Sequence, residues 1–330
     1  MNETKKTIKV AITGAAGNLG NLLAQEMKER EVKLNLLFHD KDVADNLKND
    51  QAAISLFRID LANPETLTDA LRDVDVLVHF AGVLFKARPE KFLPVTNTVY
   101  FQNLLNVALR QGVKRVILIS FPHVEGESNP ENPASGTLCG NPRSVHARTR
   151  LEEEIHLFEY GKTGRFEAVS LRVGMVYGRG VLMIDAALWL ARHRLLGVWK
   201  KPTYIHLISK VDFVNATIAA IEKPDIQGIF HIGDDGKQTL QQFLDDIAVA
   251  QGSPPPWRMP MLLILTAARC CEFISLLFNQ KSPLTVDFIR IGCVSYYGDT
   301  RRMRRELLPE LRYKTYMDGI ELFNQNKESK

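Results

Sequence analysis

Thr13-Gly14-Ala15-Ala16-Gly17-Asn18-Leu19-Gly20 constrains this 330-residue chain more than any other stretch, because near the start it joins an apolar strand to an apolar helical stripe. Residues 5–12 read as a buried parallel strand, and Leu22, Leu23 and Met27 open the helix. Glycines in such a turn have separate physical jobs. One permits the tight reversal, one lets backbone N–H groups approach a pyrophosphate, and one lets helix pack against strand. Gly14, Gly17, Asn18, Leu19 and Gly20 are therefore candidate cofactor contacts, with a dinucleotide seated on the positive end of the helix.

Beyond this turn the chain alternates. Further strands read at 32–38, 53–59, 74–80, 113–120 and 167–173, with a later one at 228–232, and helical patterns lie at 64–73, 95–111 and 144–160. Such alternation predicts an α/β fold, a doubly wound parallel Rossmann sheet whose ligand site lies at the carboxyl ends of the strands. The expected division is a nucleotide-binding domain over 1–180, which also takes back the strand near 228–233, and a smaller, mostly helical C-terminal substrate lobe over 181–330. Residues 127–142, rich in proline and glycine, read as a long loop.

A formal charge of +4 gives no case for nucleic acid, and the basic run Arg301-Arg302-Met303-Arg304-Arg305 has the spacing of a solvated helix face. The four cysteines form neither a metal-binding pair nor a secreted framework, and no signal peptide is evident, so a reducing, cytoplasmic setting is expected. No metal site is expected either. Residues 259–278 are strongly apolar, but Arg269 and Glu272 interrupt them. That predicts a buried or interface-lying helix, with peripheral membrane contact open and no transmembrane span.

The order of motifs resembles the extended short-chain dehydrogenase/reductase family, which includes NAD(P)-dependent epimerases and dehydratases, over nearly the whole chain. Its glycine spacing, G-x-x-G-x-x-G, is that of Gly14, Gly17 and Gly20. The resemblance implies that Asp60 and Leu61, after the third strand, contact the adenine, and that Ala81 and Gly82, after His79-Phe80, let backbone pass the cofactor ribose. His79 also reads as an ordinary core histidine. Asn97 falls where the family bends a helix around an asparagine, and an exposed structural role is the alternative. Asp40, between His39 and Lys41, is the candidate for the ribose hydroxyls, leaning slightly towards NAD over NADP. In Leu171-Arg172-Val173-Gly174-Met175-Val176-Tyr177-Gly178, Met175 replaces the asparagine with which nucleotide-sugar epimerases of the family hold the diphosphate, which tilts expectation to a less polar small-molecule substrate.

Where the family's chemistry should be, the pattern breaks. Its members take or give the hydroxyl proton with a tyrosine whose pKa is lowered by a lysine four residues on, and no Y-x-x-x-K occurs in this chain. Aligned through the acid Glu154, the tyrosine and lysine positions read His146 and Arg150. Histidine is a competent acid or base near neutrality, and Arg150 keeps a positive charge able to hold ribose hydroxyls. The hydroxyl that polarises substrate falls on Phe121, unless the register shifts by one to Ser120; His123 is a second polar candidate. Two functional readings remain open: an NAD(P)-dependent oxidoreductase or epimerase-like enzyme using His146, Arg150 and Ser120, or a silent NAD(P)-binding redox sensor or assembly protein. A homodimer through the helices at 95–111 and 144–160 fits the resemblance.

Overall fold

The computed structural model describes residues 7–48, 53–82, 87–278, 282 and 284–324. In chain order the strands are β1 (Lys9–Thr13), β2 (Lys33–Phe38), β3 (Ile54–Arg58), β4 (Val76–His79), β5 (Arg115–Ser120), β6 (Glu167–Val173), β7 (Met175–Tyr177), β8 (Gly197–Trp199), β9 (Leu207–Ser209), β10 (Gly228–Ile232) and β11 (Trp257–Met259). Seven of them form one parallel sheet in the order β10-β6-β5-β4-β1-β2-β3. This is the doubly wound architecture that the alternation predicts; the first two residues of the expected opening strand, 5 and 6, lie outside the described residues.

Side-chain alternation explains why these strands are apolar on both faces. Val10, Ile12, Leu34, Leu36, Val78 and Ile117 point into one core with Leu23 and Met27. Their neighbours Ala11, Leu37, Leu77, Val116 and Leu118 point into the other with Phe101, Leu104 and Leu157. A strand covered by helices on both sides has no wet face to mark with polar residues.

The strand order reverses between β1 and β4, which pair with each other and run on into the glycine turn and into Phe80-Ala81-Gly82. A crevice at the carboxyl ends follows from that reversal. After β6 the chain forms β7, β8 and β9, returns to the sheet through helix Lys210–Glu222 and β10, and then pairs β11 with β8, while β7 pairs with β9. Helix Met261–Leu277 then follows β11. No described helix is long and apolar enough to cross a membrane. The basic run forms helix Arg301–Glu306, with Met303 buried and Arg301 paired to Asp299.

Candidate functional site

At the end of β1 the backbone leaves no room for side chains. Gly14 has a φ of +70°, and a Cβ there would stand 3.0 Å from the amide nitrogen of Ala81. On Gly20 a Cβ would meet the Gly14 carbonyl oxygen at 2.4 Å. The turn closes through Gly17 N–H donating to the Gly14 carbonyl at 2.8 Å, and helix Asn18–Lys28 starts with no acid in its first turn. Its positive end is thus left without a compensating protein charge.

Other expected cofactor residues surround this turn unequally. Leu19 packs its side chain into the core, so only its backbone faces the crevice. Asn18 spends its amide elsewhere: Nδ2 donates to Gly180 O at 2.5 Å and Oδ1 accepts from Leu182 N at 3.0 Å, tying the turn to the segment after β7. Asp60 Oδ1 accepts from Ala62 N at 2.9 Å, and Leu61 O accepts from Asn103 at 3.0 Å. Asp40 is solvated, with His39 Nδ1 3.1 Å away. His79 is a buried core histidine whose Nδ1 lies 2.7 Å from Thr13 Oγ1, and burial with the nearby Arg150 charge lowers it to about 3.

The proton-handling candidates converge one strand further on. Ser120 ends β5, is buried, and its Oγ has no hydrogen-bond partner among the described residues. Phe121, next to it, lies tilted against the ring of His146 with centroids 5.4 Å apart and is only partly buried, so Ser120 is the more enclosed of the two. His146 lies in the first turn of helix Val145–Gly161, whose start is capped by Ser144 Oγ accepting from Ala147 N at 3.0 Å. Asp287 faces the Val145 and His146 backbone N–H groups from the C-terminal region. Burial, then the charges of Arg150 and His123, lower the His146 pKa to about 3, so its imidazole is neutral at physiological pH.

Arg150, one turn later, is buried with Nη1 2.6 Å from Glu153 Oε2. The pair is a charge contact without an aligned hydrogen bond. Burial pushes the Glu153 carboxyl up to about 8 despite the guanidinium beside it, with Glu154 and Glu152 adding to the rise. The other terminal nitrogen of the same guanidinium lies over Gly82, where a Cβ would stand 2.9 Å from Nη2. Asn97 is buried in a π-helical turn over Pro94–Val99 and donates to Thr149 Oγ1 at 3.1 Å, which overturns the exposed alternative.

Sequence reasoning missed the buried polar knot behind this helix. Arg172, wholly enclosed on β6, donates from Nε to both Glu154 oxygens at 3.0 and 3.1 Å, from Nη2 to the Thr137 carbonyl at 2.7 Å, and pairs with Glu125. His231 Nε2 lies 3.1 Å from the same Glu125. Burial raises the Glu125 pKa, but His231 and Arg172 outweigh it and bring the group down to about 2. The one signal in the chain was Glu154 itself, the acid through which His146 and Arg150 align. His123 is also enclosed, its ring tilted against that of Tyr296 with centroids 4.2 Å apart, and burial lowers it to about 4. Among the described residues no cluster of His, Cys, Asp or Glu is arranged for a metal.

Comparison with known proteins bears on the family and the fold. The profile of the NAD dependent epimerase/dehydratase family matches residues 10–233. A uronate dehydrogenase of Pseudomonas syringae is 26% identical over 199 residues, 59% of this chain and 70% of that protein. A 2-alkyl-3-oxoalkanoate reductase of Shewanella oneidensis is 22% identical over 314 residues, 87% of this chain and 78% of that one. Among solved structures, a dTDP-glucose 4,6-dehydratase from Bacillus anthracis in complex with NAD superposes with a TM-score of 0.74 at 16% identity, covering 98% of both chains. The Thermus thermophilus UDP-glucose 4-epimerase complex with NAD does so at 0.72 and 20% identity, covering 96% and 97%. These structures bear on the fold.

Proposed function

Because the chain belongs to the NAD-dependent epimerase/dehydratase family, we propose that it is an NAD-dependent oxidoreductase that interconverts a carbinol and a ketone on a small, rather apolar substrate, with His146 and Arg150 in the tyrosine and lysine roles. The observation that carries this reading is the buried Ser120 Oγ without a partner, next in sequence to Phe121, whose ring lies against that of His146. An enclosed hydroxyl costs free energy unless something bonds to it, and a substrate oxygen is the group the reaction would bring there.

The residues at the crevice fit a dinucleotide. A Cβ at Gly14 or Gly20 would fill the turn, and the helix start offers unpaired N–H groups to a pyrophosphate. Gly14, Gly17 and Gly20 with the backbone of Asn18 and Leu19 would hold the phosphates, Asp40 the adenosine ribose, Asp60 and Leu61 the adenine, and Ala81, Gly82 and Arg150 the second ribose. A bound NAD would supply the hydride acceptor or donor. Neutral His146 accepts the hydroxyl proton, Ser120 donates to the substrate oxygen, and Arg150 favours the neutral imidazole while reaching across Gly82.

Met175 on β7 and the resemblance to a 2-alkyl-3-oxoalkanoate reductase both support an apolar substrate over a nucleotide sugar. One observation favours the alternative of binding without turnover: Arg150 is tied to Glu153 at 2.6 Å. The four cysteines are all free, in keeping with a reducing, cytoplasmic setting. A homodimer through helices Tyr100–Gln111 and Val145–Gly161 remains part of the proposal. The test is reduced-nicotinamide absorbance after mixing protein and NAD with 2-alkyl-3-hydroxy acids and, separately, uronic acids. Turnover of the former supports the reading. NAD binding without turnover on any carbinol would replace it with the silent-binder alternative.

A further inference from the structure

Helix Met261–Leu277 is apolar almost all round, yet it buries only Ile264, Ala268 and Ser275. Projected at 3.6 residues per turn, those three fall on one narrow stripe, and Leu262, Phe273 and Leu277 lie opposite. Leu262 is 73% exposed, Phe273 63% and, just past the helix end, Phe278 70%. A helix of this kind in water is normally buried; here the lobe covers one side only. The exposed apolar surface runs on through the preceding strand to Trp257, 66% exposed, whose indole donates to the Arg194 carbonyl at 2.9 Å, and to Leu195.

The charges of this face that no described partner neutralises are positive. Glu272, the single acid of the helix, accepts from Val286 N at 2.9 Å and is turned to the lobe, which leaves Arg269 on the outward side. Arg194, whose carbonyl accepts from the Trp257 indole, and Arg192 two residues before it are exposed, and neither is in an ion pair with a described residue. A second copy of the chain docked here would set cations against cations. Anionic lipid headgroups complement them, and tryptophans flanking an apolar helix sit naturally at the boundary between headgroups and acyl chains.

We propose that the face formed by Leu262, Phe273, Leu277, Phe278 and Trp257, with Arg192, Arg194 and Arg269, docks on an anionic lipid bilayer, the helix lying in the interface without spanning it. At 17 residues it is short of a span, and its flat apolar side suits shallow insertion. This holds whatever reaction the crevice performs.

Co-sedimentation of the full chain with phosphatidylcholine vesicles, with and without phosphatidylglycerol, tests it. Binding is expected to the anionic vesicles, weaker by about tenfold on pure phosphatidylcholine and in Arg192→Glu/Arg194→Glu, and lost in Leu262→Asp/Phe273→Asp with NAD affinity unchanged. Quenching of tryptophan emission by brominated lipid in the unmodified protein gives a second reading that needs no variant to fold. No sedimentation and no quenching overturns the proposal. So does a dimer, seen by light scattering, that the apolar variant breaks while vesicles leave the protein in solution, because that outcome gives the face to a second copy.

Discussion

The crevice has two walls built on opposite principles. Around the end of β1 and β4, space is exhausted: Gly14 and Gly20 admit no Cβ, and Ala81 stands against the turn. Around the end of β5, polar atoms are in excess: Ser120 Oγ, both His123 ring nitrogens and both Glu153 oxygens lack aligned hydrogen bonds among the described residues. Steric exhaustion fixes a backbone shape that holds a ligand. Polar excess leaves buried groups without partners, and under the proposed function that wall is where substitutions change activity without change of fold.

The comparison can be broken first at the glycine wall. Gly14→Val places a branched side chain at a φ of +70° and against Ala81, and we expect NAD affinity to fall by about 100-fold or more, read by isothermal titration calorimetry. Unchanged affinity would mean that the turn is not the phosphate site. The knot that backs the second wall comes next. Arg172→Met leaves Glu154 and Glu125 buried without their cation, and a loss of about 3–5 kcal/mol in urea unfolding is expected.

The same knot gives a pH dependence. Glu125 has a folded pKa of about 2 against an ordinary 4.5, so its contribution is fully present above 4.5 and is lost as pH falls towards 2. Arg172→Met, which removes one of the groups holding it down, should flatten stability between those values. A slope equal to that of the unmodified protein would detach Glu125 from the knot. The smallest effect is expected at Asp40, which is solvated: Asp40→Asn should weaken NAD by about tenfold or less, by the scale of exposed charge contacts. Tighter binding of NADP in that variant would sharpen its role as the selector.

The unequal legibility of the two walls in the sequence has the same cause. Gly14, Gly17 and Gly20 announce themselves because a steric requirement admits one residue type at each position, and the apolar runs of the central strands follow from burial on both faces. His146 and Arg150 could be placed only through Glu154, whose own function is to bind Arg172. The register of Ser120 against Phe121, the burial of Asn97 and the crossing of Gly82 by Arg150 depend on contacts between elements distant in sequence. Nothing local to those residues distinguishes them from surface positions. The Arg172 knot joins residues from β6, the helix, the long loop and β10, and no spacing rule reaches across such separations.

The central claim is that His146 moves the substrate proton while taking no part in holding the dinucleotide. Single-turnover formation of reduced nicotinamide, measured for the unmodified protein and for His146→Ala with both saturated by NAD and a 2-alkyl-3-hydroxy acid, tests it most directly. A rate lower by about 10²- to 10³-fold in the variant, with NAD affinity within about threefold, is the predicted result. Equal rates in the two proteins would contradict it.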